Sequence, residues 1–166
     1  MKTLLIIRHA KSSWDTATLS DFDRPLNDRG KKDAPIMAKR LIEGKIKPEL
    51  FVSSPAKRAK KTAELFIQEF GHHEEEILFI SELYHAPTAL FYEIISKFDD
   101  RYRSIAIFSH NPGITEFVNT LTSVRLDNMP TCGIFAVNSM ADCWKDFQGS
   151  KKEFWFFDYP KSIAST

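Results

Sequence analysis

Apolar residues in this 166-residue chain fall into two alternating textures: short unbroken runs, and longer stretches where they recur every third or fourth position. The first run, Leu4-Leu5-Ile6-Ile7, leaves no polar side chain to turn toward water, so it predicts a strand over residues 2–8 buried on both faces. Residues 30–44 then carry Ala34, Met37, Ala38, Leu41 and Ile42 at helical spacing. A second strand is expected over 49–53. The helix after it has the clearest predicted limits: Ser54 as cap, Pro55 in its first position and Gly71 as its stop. Between them Ala56, Ala59, Ala63, Phe66, Ile67 and Phe70 trace one apolar stripe.

A third strand is expected at about 77–81, a helix from Pro87 to Phe98 and a fourth strand over 104–109. Asn111-Pro112-Gly113 then turns into a helix bearing Ile114, Phe117, Val118 and Leu121. The last forty residues change texture. Short runs at Gly133–Asn138, Trp144–Phe147 and Phe154–Tyr159 are split by turn-formers and read as antiparallel strands. Strands alternating with helices over short connections imply an α/β layer fold in a single domain, 1–166, with no repeat, linker or low-complexity tract.

Composition narrows the function classes. A formal charge of +1 argues against a nucleic-acid binder. No stretch approaches the roughly 18 apolar residues of a membrane span, and Arg8 interrupts the N-terminal run too early for a signal peptide. Cys132 and Cys143 match no metal spacing and no disulfide framework. Two reduced thiols in a cytoplasmic protein are the expectation. His72-His73 before Glu74-Glu75-Glu76 reads as a charged turn rather than a metal cluster.

The candidate chemistry sits where the strands end. Arg8-His9 closes the first, Arg58 follows the second, and His110 closes the fourth. The C-terminal edge of a parallel sheet is where α/β proteins hold ligands. Arginine's planar fork stays protonated and matches phosphate, and a helix start favours an anion near Arg58. Neutral imidazole can attack phosphorus, so His9 is a candidate nucleophile and His110 a donor to a phosphoryl oxygen. Lys57, Lys60 and Lys61 beside Arg58 form a basic cluster, read as a solvated face or as a device that steers anions. Trp14 either lines the entrance or packs edge-on.

Three segments in order carry a resemblance. Arg8-His9-Ala10-Lys11-Ser12-Ser13-Trp14-Asp15, Ser53-Ser54-Pro55-Ala56-Lys57-Arg58-Ala59-Lys60-Lys61-Thr62-Ala63 and Ser109-His110-Asn111-Pro112-Gly113 resemble the motifs of the histidine phosphatase superfamily, phosphoglycerate-mutase-like branch. Asp23-Arg24-Pro25-Leu26-Asn27 and Leu83-Tyr84-His85-Ala86 resemble the small SixA-type phosphohistidine phosphatases. The resemblance implies a three-layer αβα sandwich on a mostly parallel mixed sheet. It implies His9 as the phosphorylated nucleophile, with Arg8, Arg58 and His110 completing the phosphate pocket. Ser12 and Asp15 occupy positions like those of phosphate- and substrate-contacting residues, although an acidic Asp15 equally suits a repulsive rim. Glu82 and His85 lie near where larger members keep an acidic residue, and either is a candidate general acid or a loop hydrogen-bonder. Ala10 departs from the glycine common after the nucleophile, and its methyl is expected to restrict that turn.

The expected activity is therefore metal-independent and cofactor-free: a phosphatase acting on phosphohistidine in proteins. Leaving-group chemistry agrees, because a protonated phosphoramidate nitrogen departs without the acid that an alkoxide needs. No segment is left over for a lid, so an open site is expected. The alternatives are a small-molecule phosphomonoester phosphatase or a mutase on the same scaffold, a non-catalytic phosphate-binding module, and a metallohydrolase on His9, His85 and His110.

Overall fold

The computed structural model describes residues 1–15 and 19–162. Strands run over Lys2–Arg8 (β1), Leu50–Ser53 (β2), Leu78–Phe79 (β3), Ser104–Ser109 (β4), Ile134–Ser139 (β5) and Lys152–Asp158 (β6). Helices run over Asp28–Glu43 (α1), Lys57–Glu69 (α2), Thr88–Ser96 (α3) and Gly113–Leu121 (α4). Among the described residues the strands form one sheet in the order β3-β2-β4-β1-β5-β6. The first four are mutually parallel; β5 and β6 are antiparallel additions.

The period-two geometry of a strand divides the core. Leu4, Ile6, Ile105 and Ile107 face one way, onto Phe91 and Ile95 of α3 and Phe117 and Val118 of α4. Leu5, Ile7, Ala106 and Phe108 face the other way, onto Met37 and Leu41 of α1 and Phe66 of α2. Helices on both faces make the three-layer αβα sandwich that the resemblance implied, in keeping with the α/β pattern. The run Leu4–Ile7 is wholly buried because β1 lies between β4 and β5 and under both helical layers. Burying each such side chain is worth about 1.5–3 kcal/mol.

Local signals place the helices. The Asn27 side chain caps α1 by accepting from the Gly30 amide at 2.9 Å, and Gly71 ends α2 in the left-handed region at φ 78. The cap of α2 is Ala56 rather than Ser54, whose hydroxyl is engaged elsewhere. The strand expected at 77–81 shortens to two residues at the sheet edge, and Ser81–His85 curls into a 3₁₀ turn. Trp144–Asp146 is likewise a 3₁₀ turn, not a strand. Trp144 and Phe147, three apart, both enter the core, which a helical turn allows and an alternating strand does not. Among the described residues no helix is long and apolar enough to cross a membrane.

Candidate active site

Strand order creates a crevice. From β1 the chain passes through α1 to β2 on one side; from β4 it passes through α4 to β5 on the other. Adjacent parallel strands whose connections diverge leave a gap beyond their carboxyl ends. Arg8 of β1 pairs with Ser109 of β4, so His9 and His110 emerge side by side there, with ring centroids 5.2 Å apart. Gly30 and Gly113 let the flanking loops approach. A Cβ on Gly30 would lie 2.2 Å from the Lys11 carbonyl oxygen, and one on Gly113 would lie 2.1 Å from that of Ala86.

His9 is buried, and its Nδ1 lies 2.7 Å from the Ala10 carbonyl oxygen. A carbonyl only accepts, so Nδ1 carries the proton and the lone pair belongs to Nε2. Arg58 agrees, its Nε donating to Nε2 at 3.3 Å. Burial pushes the His9 imidazole down to about 3; the Ala10 carbonyl opposes this and the guanidiniums of Arg58, Arg8 and Arg24 add to it. At neutral pH the ring is uncharged, and its unprotonated nitrogen accepts from the Arg58 guanidinium.

Arg58 sits in the first turn of α2, and its fork is held from behind. Nη1 donates to the Asp21 carbonyl at 2.6 Å and Nη2 to the Asp21 carboxylate at 3.0 Å. The same carboxylate accepts from the Tyr84 hydroxyl at 2.6 Å. That hydrogen bond, with Arg58 and Arg24 nearby, pulls the Asp21 carboxyl down to about 2. Arg24 reaches Ser12 Oγ at 2.8 Å and stacks over the exposed Trp14 ring at 3.5 Å.

His110 is held by its other nitrogen: Nε2 lies 2.8 Å from Ser54 Oγ, while Nδ1 is buried with no partner among the described residues. Burial lowers its pKa to about 2, helped by His9 and Arg58. Arg8 donates Nη1 to the Met129 carbonyl at 2.8 Å and also leaves a buried nitrogen, Nε, without a partner. Buried polar nitrogens without a partner are rare in native proteins, and here the two belong to side chains that line one cavity. Arg8, His9, Arg58 and His110 line one cavity of about 480 Å³, with four cationic or polar nitrogen-bearing groups around a volume that takes an oxyanion.

The other candidates divide. Ser12 and His85 line the same cavity, His85 against the Tyr84 ring at 4.0 Å. Asp15 is exposed and lies outside the cavity lining, as does Glu82, whose carboxylate accepts from the adjacent Ser81 hydroxyl in solvent. Among the described residues no three of His, Cys, Asp and Glu gather as a metal cluster.

A family model for the histidine phosphatase superfamily (branch 1) matches residues 4–84. An uncharacterized chloroplastic protein of Arabidopsis thaliana is 31% identical over 153 residues, covering 87% of this chain and 70% of that protein. The chain belongs to the histidine phosphatase superfamily. It is 30% identical to a 2,3-bisphosphoglycerate-dependent phosphoglycerate mutase of Bartonella tribocorum over 46% of this chain, a segment spanning 38% of that enzyme. In fold it is similar to the protein histidine phosphatase SixA complexed with tungstate, with a TM-score of 0.82 and 22% identity over 97% of this chain and 99% of that one.

The histidine phosphatase pattern accommodates Ala10 without a left-handed turn: its methyl is buried and its amide donates to Thr62 Oγ1 at 2.9 Å. A left-handed residue beside the site is Cys132, at φ 59, whose amide is shared by the Arg8 and His9 carbonyls at 3.1 and 3.0 Å. Reading by sequence missed Asp21, Arg24, Tyr84 and Ser54. Arg24 and Tyr84 lie inside the two segments that resemble SixA, and Ser54 was assigned to capping. Asp21 shows no local signal.

Proposed function

We propose that the protein hydrolyses phosphohistidine on proteins through a phosphoryl group carried transiently on Nε2 of His9. The observation that carries this reading is the His9 hydrogen bond to the Ala10 carbonyl, which fixes the lone pair on the nitrogen facing Arg58.

In this reading Arg8 and Arg58 hold the phosphoryl oxygens, and His110 donates to one of them from Nδ1. That requires the Ser54 hydroxyl to donate to Nε2, and the lowered His110 pKa supports a ring with one proton. The Nε2 lone pair attacks phosphorus as the substrate P–N bond breaks, and its electron pair stays on the departing imidazole. That ring was protonated on its other nitrogen, so it leaves neutral without an acid. Phosphorylated His9 keeps its Nδ1 proton against the Ala10 carbonyl, which holds the positive charge developing on the ring. Water then attacks phosphorus, and the P–Nε2 pair returns to His9. One water proton stays on the phosphate and the other passes to solvent.

Glu82 and Asp15 lie outside the cavity lining, and Asp21, which belongs to it, is held ionised by Tyr84 and Arg58, which supports a leaving group that needs no carboxylic acid. The substrate is then a phosphorylated protein rather than a sugar phosphate. A cytoplasmic location accords with Cys132 and Cys143 as free thiols. Turnover on a phosphohistidine peptide, a phosphoserine peptide and a sugar phosphate, side by side, tests the proposal. The expected kcat/KM is highest on phosphohistidine by at least about 10². Equal or better turnover of the sugar phosphate overturns it.

A further inference from the structure

Beside the phosphate cavity lies a second, larger hollow of about 600 Å³ between the Asp21–Pro25 segment and the start of α2. Its charged lining is mostly ammonium: Lys57, Lys60 and Lys61 from α2 and Lys31 from α1. Phe22, Pro25 and Pro55 supply an apolar lining. We infer that this groove binds an acidic segment of the phosphorylated protein substrate and so guides its phosphohistidine to His9. This deepens the function proposed above and rests on it.

Position, charge and exposed apolar surface support the assignment. The walls of the groove and the cavity abut: Phe22 lines the groove and packs edge-to-face with Tyr84 at 5.1 Å, and Tyr84 lines the cavity. Lys57 and Arg58 are consecutive, so a chain lying along the lysines enters the phosphate site at Arg58. Among the described residues none of the four lysines forms an ion pair, although Asp23 and Glu64 also line the groove. Four ammonium groups against two carboxylates leave an excess of two positive charges, on a protein whose overall charge is +1. Phe22 is 37% exposed, an apolar surface for the side chains that separate acidic ones in a polypeptide. Opposite charge at such a rim raises encounter rate and sets partner preference.

The test uses three synthetic phosphohistidine peptides, flanked by glutamates, by serines or by lysines, with the small phosphoramidate anion as a substrate too short to reach the groove. For the wild-type protein the glutamate-flanked peptide is expected to show a KM about tenfold below that of the serine-flanked one, with the lysine-flanked peptide poorest. In the triple variant Lys57→Glu, Lys60→Glu, Lys61→Glu that order reverses, while phosphoramidate turnover stays within about twofold, which also reports an intact fold. A Lys→Gln triple variant is expected to lose the preference without reversing it.

No preference among flanks in the wild type, or a parallel loss on phosphoramidate and peptides in both triple variants, overturns the groove. Failure of the wild type to hydrolyse any phosphohistidine peptide sinks the proposed function instead. The groove is then decided by fluorescence anisotropy with a labelled, unphosphorylated glutamate peptide. Binding that the charge reversal abolishes sustains it; equal binding by both proteins, or tighter binding of a labelled oligonucleotide, overturns it.

Discussion

The ends of β1 and β4 present the same residue in neighbouring places, yet the two imidazoles are tied by opposite nitrogens. His9 is pinned at Nδ1 by a main-chain carbonyl, and His110 is held at Nε2 by the Ser54 hydroxyl. Both are buried, and both pKa values are pushed far below the ordinary value of 6.5. Burial therefore does not distinguish them; the partner does. A carbonyl accepts and nothing else, so it dictates a free lone pair on His9. A hydroxyl can donate, so it allows His110 to keep a proton on the nitrogen that lacks a partner. Parallel strands place the rings, and in the proposed mechanism single hydrogen bonds divide the roles of nucleophile and donor between them.

Substitutions can break that division. His9→Ala removes the nitrogen whose lone pair the Ala10 carbonyl fixes, and kcat on phosphohistidine peptide is expected to fall by at least about 10⁴. His110→Ala takes away a donor and leaves the nucleophile, so the expected loss is about 10²–10³ in kcat. Arg58→Ala belongs in the same range. Steady-state kinetics on the three proteins checks the order, and an H110A defect equal to that of H9A would erase the asymmetry.

Ser54→Ala sharpens the comparison. It leaves His110 Nε2 buried without its partner and frees the ring to carry its proton there. The expected effect is about a tenfold drop in kcat with KM little changed. Ser54→Thr, which keeps the hydroxyl, is expected to recover most of it. A loss confined to KM would assign Ser54 to substrate binding instead.

The depressed pKa values also bear on stability, where both histidines act alike. Each titrates near 6.5 when unfolded and only near 2–3 when folded. Below about pH 6.5 the unfolded chain binds protons that the native one refuses, so stability falls as pH drops toward the folded values. The slope is about 1.4 kcal/mol per pH unit for each imidazole. Denaturant unfolding at pH 7, 6 and 5 reads this slope. In the double variant His9→Asn, His110→Asn the acid limb is expected to flatten, leaving the smaller contribution of the carboxylates.

Much of the fold was legible because its signals are local. The unbroken run Leu4–Ile7, the stripe on α2 and the stop at Gly71 each follow from side-chain pattern or φ preference. That Arg8, His9, Arg58 and His110 share one cavity was legible because they close or follow strand-like runs. What stayed hidden depends on contacts distant in sequence. Nothing near Trp144–Phe147 reveals that both rings enter the core from one 3₁₀ turn. Ser54 has the composition of a helix cap, and only the approach of β4 to β2 shows that its hydroxyl meets His110. Asp21 is an ordinary loop acid until folding carries it to Arg58 and Tyr84. Glu82 and Asp15 looked close to the chemistry along the chain and lie outside the cavity lining in space.

Rapid-quench labelling addresses the division of roles most directly. The protein is mixed with a phosphohistidine peptide, quenched within one turnover under alkaline conditions and mapped for its phosphoryl group. Phosphate on Nε2 of His9, stable in base, lost in acid and absent from H9A, is the predicted result. Phosphate on Nδ1, on His110, or on no residue while turnover proceeds would contradict it.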